Sequence, residues 1–251
     1  MKKVLFLLLI SFFALQSCSV ESEVIFHKNS TSTTMIDIDM KDAMAVLKSR
    51  VAATSQTQNT GLEDLGKLPK NWTSVYKLGK EIRKLDIKDP DSIKIMKKIF
   101  MKSNFDKEEM KGFALKMDHF SQDDYQSAGK LSKNYQLPID RLAMNSWDGK
   151  TLTINTQELT LNGIKNILNN KDISSLQAQT SVEYVKMMYK NIGTTLKFEK
   201  KIKSITGKHD WITKTDDYSL KINYDLNYLF SPEKDRKPLL NGDERIVIVT
   251  E

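Results

Sequence analysis

The chain has 251 residues, 39 of them basic and 32 acidic, for a formal charge of +7, and 39% of its residues are hydrophobic. That length builds one large domain or two small ones with real cores, and a single cysteine, Cys18, excludes any disulfide within the chain. Only five basic residues are arginine (Arg50, Arg83, Arg141, Arg236 and Arg245), and the lysines are interleaved with acids, which argues against nucleic acid as a partner and for a solvated surface.

Lys2 and Lys3 precede Val4 to Leu15, a run that is apolar apart from Ser11. This is the layout of a secretory signal peptide, and about a dozen residues fall short of the roughly 20 a membrane-spanning helix needs. The segment closes on Leu15-Gln16-Ser17-Cys18, which resembles a bacterial lipobox: Leu, any residue, a small residue, Cys. The resemblance implies cleavage before Cys18, diacylation of its sulfur and acylation of its new amino terminus. One acyl chain anchors marginally, whereas two or three on one residue hold a protein to a bilayer durably. Ser19 stands where an Asp would favour inner-membrane retention, so the expected address is the outer membrane. Glu21 and Glu23 are the only hint of an acidic surface-export signal. Residues 1–17 are thus expected to be removed, taking Lys2 and Lys3 with them. Residues 18–22 are expected to form an acylated tether, and 23–251 an envelope domain.

Glu23 to His27 and Thr31 to Asp39 are β-rich runs around Lys28-Asn29-Ser30. In the second run Thr34, Ile36 and Ile38 alternate with Met35, Asp37 and Asp39, predicting a hairpin over 22–39 with one polar face. Asp39 or Asp42 can cap a following helix whose Met40, Ala43, Met44, Leu47 and Val51 form one stripe. Residues 53–70, polar and punctuated by Gly61, Gly66 and Pro69, read as a mobile excursion. Order restarts at Asn71-Trp72-Thr73, and Val75, Leu78, Ile82 and Leu85 line a second helix. Asp89-Pro90-Asp91 reads as a turn. Residues 92–105 fit either period, and pairing with the alternating run 112–120 favours a β-hairpin joined through Asp106 to Lys111. A helix over 121–134 is capped by Ser121. Trp147 to Lys150 turn into a strand at Thr151 to Ile154.

From Thr180 a helix is expected with Val182, Val185, Tyr189 and Ile192 on one side and Gly193 as its stop. Strands follow at 194–198, 200–205, 211–212 and 218–224. A short helix spans Leu226 to Phe230, and a closing strand Glu244 to Val249. Hairpins interspersed with helices, without a βαβ rhythm, predict an α+β fold: a largely antiparallel sheet packed against several helices.

Three pieces carry a wider resemblance: the lipobox with Glu23-Val24-Ile25-Phe26 and the hairpin ending Ile36-Asp37-Ile38-Asp39-Met40; Asn104-Phe105-Asp106 with Gly112-Phe113-Ala114-Leu115; and Leu196 to Ser204 before a strand near Tyr218. Together they resemble a group of uncharacterised bacterial lipoproteins. Members carry Asp-Gly near the first hairpin turn, where this chain has Lys28-Asn29-Ser30. The resemblance implies a sheet packed on helices beneath an acylated tail, and it offers no catalytic residues.

Motifs for chemistry are incomplete. Gly61 to Lys67 has the spacing of a phosphate loop, but Leu68 replaces its hydroxyl residue and Glu63 and Asp64 would repel phosphate. His27, His119 and His209 share no metal-ligand spacing, so no metal and no cofactor is expected. His119, Ser121 and Asp123 name a triad but sit too close together on one strand end to converge. Asp37 with Asp39, and Asp216 with Asp217, could hold a cation, although a solvated face is the plainer reading. Trp72, Trp147, Trp211, Tyr218, Tyr224 and Tyr228 are expected mainly in the core.

The expectation is therefore a non-enzymatic envelope lipoprotein acting in binding or assembly, with Cys18 the one assigned residue. Its partners would be the bilayer and then other envelope proteins or a hydrophobic ligand. The alternatives are a lipid- or glycan-binding carrier, marked by an apolar cavity beside aromatics, and an envelope hydrolase, marked by Asp37 or Asp216 meeting a histidine within hydrogen-bond reach.

Overall fold

The alternation of residues 22–39 becomes a hairpin. β1 (Cys18–Phe26) and β2 (Ser32–Asp39) pair antiparallel from Ser19↔Asp39 to Phe26↔Ser32. The computed structural model describes residues 18–41, 68–81, 88–131, 146–159, 189–225, 228, 235 and 237–251. The expected tether is a correction: Ser19 to Ser22 belong to the ladder of β1. Val20 and Ser22 continue the inward alternation of Val24 and Phe26, and both are buried, so the strand extends as far as there is core to cover.

Next in the chain come β3 (Thr73–Ser74), α1 (Val75–Glu81), α2 (Pro90–Lys98), β4 (Ile99–Asp106), β5 (Glu109–Phe120) and α3 (Gln122–Leu131). β6 (Thr151–Asn155) and a 3₁₀ turn (Thr156–Leu159) lead to β7 (Tyr189–Phe198), β8 (Ile202–Thr206), β9 (Ile212–Asp216), β10 (Ser219–Asn223) and β11 (Arg245–Thr250). Both periods read in residues 92–105 are present, one after the other. Asp89 is not a turn residue but the N-cap of α2, accepting from the Ser92 N–H at 2.8 Å, with Pro90 opening the helix. The chain turns extended only at Ile99. A second correction concerns Tyr189, Ile192 and Gly193, which lie in β7 rather than at a helix end. β7 is flanked by β1 and β10, and pairing on both sides overrides the helical spacing. The expected helix from Met40 beyond Lys41, the excursion up to Lys67, Ile82 and Leu85 of the second helix, the start of the helix at Thr180, and Leu226 to Phe230 apart from Tyr228 lie outside the described residues.

The strands form an eight-stranded sheet, ordered β3-β4-β5-β2-β1-β7-β10-β9, and a three-stranded one, β6-β11-β8. β1 and β7 run parallel, and the other described pairs are antiparallel. The fold is α+β. One face of the large sheet carries Val24, Phe26, Met117, Phe120, Leu196, Phe198, Leu220 and Ile222. These pack with Ile95 of α2, Tyr125 of α3, and Leu152, Ile154, Ile202, Ile246 and Ile248 of the small sheet in one core. Buried hydroxyls on the same face are satisfied: Tyr125 Oη meets Ser32 Oγ at 2.9 Å and Thr34 Oγ1 at 3.0 Å, and Ser22 Oγ meets Thr194 Oγ1 at 2.7 Å.

The opposite face is more polar, with Glu23, Asp37, Lys116 and Lys197 along it. At its end β5 bulges. Ser32 pairs with Phe120 and Thr34 with Met117, so Asp118 and His119 together oppose Thr33, and His119 takes φ 49°. The extra residue keeps both Met117 and Phe120 in the core and leaves His119 outside.

Candidate functional site

Cys18 is the first residue of β1, near the middle of the large sheet, in register with Tyr189 on β7, while its neighbour Ser19 pairs with Asp39 on β2. The residue that closes the lipobox-like motif therefore also opens the domain's central strand.

The other end of β1 gathers a polar cluster that sequence spacing did not show. After Phe26 the chain turns through residues 27–31. The His27 N–H donates to the Thr31 carbonyl at 2.9 Å, and Asn29 Oδ1 accepts from the N–H and hydroxyl of Thr31. The indole of Trp147, packed against Phe26 and Phe198, donates to the His27 carbonyl at 2.7 Å. These contacts fix the imidazole between two partners. Nδ1 lies 2.7 Å from Glu199 Oε1, and Nε2 lies 2.9 Å from Thr33 Oγ1. Glu199 Oε2 accepts from the Lys28 N–H at 2.9 Å. That backbone hydrogen bond, and then the one from His27, hold the Glu199 carboxyl below the usual range. An ionised Glu199 only accepts, so Nδ1 donates to it, and in the neutral imidazole Nε2 accepts the Thr33 hydroxyl proton. Thr33 Oγ1 also receives the His119 N–H at 3.2 Å and lies 3.4 Å from Asp118 Oδ1. The His119 ring stacks on the His27 ring with centroids 4.3 Å apart.

Hydroxyl, imidazole and carboxylate are thus linked in the order of a nucleophile, its base and the group that orients the base. A working nucleophile also needs room for a reacting atom about 3 Å away. Thr33 is 6% exposed, and the backbone of the bulge lies over its hydroxyl. Neither the cleft beside His209 nor the small cavity beside Tyr125 is lined by it. The linkage binds the first hairpin, the bulge of β5 and the residue after β7 to one another. Neither Asp37 nor Asp216, the acids weighed for a hydrolase, takes part.

The remaining expected residues are placed as follows. Asp37 Oδ1 accepts from Asn104 Nδ2 at 3.0 Å, while Asp39 accepts from the Lys41 N–H and faces Lys111. Asp216 accepts the Tyr218 N–H, and Asp217 pairs with Lys201 and Lys214, each at 2.9 Å. Ser121 caps α3 in a reciprocal box with Asp124, while the His119 ring faces Asp118 through Nδ1 at 3.3 Å. No group of three or more His, Cys, Asp or Glu suited to a metal occurs among the described residues, and no described helix is long and apolar enough to cross a membrane. Trp147 joins the main core and Trp211 a smaller one with Leu159, Tyr224 and Tyr228. Trp72 and Tyr218 are exposed. The phosphate-loop stretch lies outside the described residues.

No family model matches the chain, and no curated protein matches it. Among solved structures, the NMR structure of the folded domain of LppM from Mycobacterium tuberculosis is similar over 94% of this chain and 92% of that one. The identity is 9% and the TM-score 0.36, a likeness that assigns neither fold nor role.

Proposed function

We propose that the chain is a lipid-anchored bacterial envelope protein, acylated on Cys18, whose domain works by binding or assembly rather than catalysis. The observation that carries this reading is the double position of Cys18, which closes the lipobox-like Leu15-Gln16-Ser17-Cys18 and opens β1. Acyl groups there would attach to the central strand itself, with no slack between bilayer and sheet. The rung of Ser19, Asp39 and Gly112, with the β4–β5 turn beyond it, would then face the headgroups. β1 has nine residues. At about 3.3 Å per residue its far end, with the His27 cluster, would stand roughly 25–30 Å away.

The outer membrane is the address favoured by Ser19. The burial of Thr33 supports the non-catalytic reading, because the linkage to Glu199 offers no approach for a substrate. Fractionation of cells expressing the native chain and a Cys18→Ala variant tests the anchor. The native protein is expected in the membrane fraction after an alkaline wash and the variant in the soluble fraction. Equal partition of the two would refute the proposal.

A further inference from the structure

A cleft of about 430 Å³ lies where the two sheets part, with Lys208, His209, Ile205, Ile212, Leu220 and Ile246 among its lining. Its walls are the edge strands β8 and β9, and its size falls in the range of small-molecule sites, about 300–1,000 Å³. Gly207, at φ +87°, turns the chain so that residues 208–210 run against 241–243. The His209↔Gly242 bridge and the bonds from Asp210 N to the Asn241 carbonyl and from Asp243 N to the Lys208 carbonyl record that pairing.

The carboxylates at this cleft are used, and two of its donors are not. Asp210 accepts from the N–H groups of Leu240 and Asn241 and from Asn241 Nδ2, and Asp243 Oδ2 accepts from the Lys208 N–H. Both carboxylates are thus committed to the loop. His209 is 9% exposed, and its Nδ1 accepts the Trp211 N–H at 3.2 Å. The neutral ring therefore carries its proton on Nε2, and that N–H has no hydrogen-bond partner among the described residues. Burial holds His209 below the usual imidazole range, against the pull of Asp210 and Asp243, which keeps it in this neutral donor form. The Lys208 ammonium is likewise unpaired among the described residues, whereas Lys214 is shared with Asp217. Beneath these groups the floor is aliphatic, from Ile205, Ile212, Leu220 and Ile246. A buried donor without an acceptor costs about 1–3 kcal/mol, and a ligand that supplies the acceptor recovers it.

We infer that this cleft binds a carboxylate carried on an aliphatic chain. The carboxylate would accept from His209 Nε2–H and face the Lys208 ammonium, and the chain would lie on the isoleucine and leucine floor. The inference stands whether or not Cys18 is acylated.

The test is a titration of the full chain with sodium hexanoate, with 1-hexanol and inorganic phosphate as controls, followed by NMR of the Ile205 and Ile212 methyl groups. Hexanoate is expected to shift these methyls saturably, and both controls to bind at least about tenfold more weakly. His209→Asn keeps an acceptor for the Trp211 N–H but no donor at the Nε2 position, and should weaken hexanoate by about tenfold or more, the value of one hydrogen bond to a charged group. Lys208→Gln, on an exposed residue that leaves the fold untouched, should weaken it about two- to fivefold, as loss of an exposed charge pair does. Hexanol binding as well as hexanoate would overturn the role of the donors, and phosphate doing so would overturn that of the floor. Undiminished binding by both variants would overturn the site.

Discussion

The imidazole rings of His27 and His119 lie parallel within 5°, their centroids 4.3 Å apart. His27 follows the central strand and His119 comes from the bulge of β5, so the stack pins a strand end to an irregularity two strands away. Between their elements Thr33 Oγ1 receives the His119 N–H and meets His27 Nε2. The cluster is an internal clasp.

Thr33→Val tests the clasp, since it keeps the shape of the side chain and removes its oxygen. The His119 N–H and His27 Nε2 would lose their shared partner, at a cost of about 1–3 kcal/mol. Urea unfolding should show a lower midpoint at an unchanged slope, with Thr33→Ser close to the parent. A valine variant as stable as the parent would show that the hydroxyl contributes nothing.

Asp124 makes acid sensitivity predictable. Its side chain is 4% exposed and lies 2.6 Å from Lys98 Nζ. Burial works to raise its carboxyl, but the hydrogen bonds from Lys98 and Ser121 outweigh this and hold it below the ordinary value of 3.8. A carboxyl depressed in the folded state contributes stability that is fully present above the unfolded value and lost as pH falls through the folded one. Asp124→Asn should therefore cost about 1–3 kcal/mol at pH 7. Its deficit should shrink below about pH 4, near the unfolded carboxylate value. A deficit independent of pH would contradict this.

Gly112 is fixed by a backbone contact rather than by a turn. A Cβ there would stand 1.9 Å from the Ile38 carbonyl oxygen, so β5 could not keep its register with β2. Gly112→Ala should destabilise by about 2–3 kcal/mol, as overpacking does, and lower the thermal midpoint. Gly193→Ala is the control. Its Cβ would meet nothing nearer than 3.6 Å, and it should unfold close to the parent.

The fold was legible wherever one face of a strand is buried. Thr34, Ile36 and Ile38 alternate with polar residues, and the hairpin they predict is present. It was illegible where two signals compete. Residues 92–105 satisfy both periods because α2 passes directly into β4 at Ile99, and Asp89-Pro90 serves a turn and a helix cap equally well. Tyr189 and Ile192 have helical spacing, yet β7 is held by neighbours that no local pattern reveals. The clasp lay further out of reach. His27 meets Thr33 six residues on but Glu199 172 residues away, and only the parallel pairing of β1 with β7 brings Glu199 to the end of β1. The donor on His209 depends on a tautomer set by Trp211, which spacing cannot express.

If the domain is carried directly on Cys18, its orientation on the bilayer is fixed. The β4–β5 turn at Lys107 lies beyond the Asn104↔Gly112 rung, which continues through Asp39 to Ser19. Asn29 lies at the opposite end of β1. Fluorophores placed through Lys107→Cys and Asn29→Cys, with an acceptor in the lipid headgroups, should report a membrane separation about 30 Å greater for Asn29, the rise of β1 together with that of the hairpin end beyond the rung. Equal separations would mean that the sheet does not stand on its Cys18 end.

The most direct measurement is the intact mass of the mature protein recovered from membranes, with fragmentation of its amino-terminal peptide. Acylation at Cys18 predicts a chain that begins at Cys18 and carries the mass of a diacylglyceryl group, with or without a further acyl chain on its amino terminus. A chain that retains residues 1–17, or one that begins at or near Cys18 with an unmodified sulfur, would contradict it.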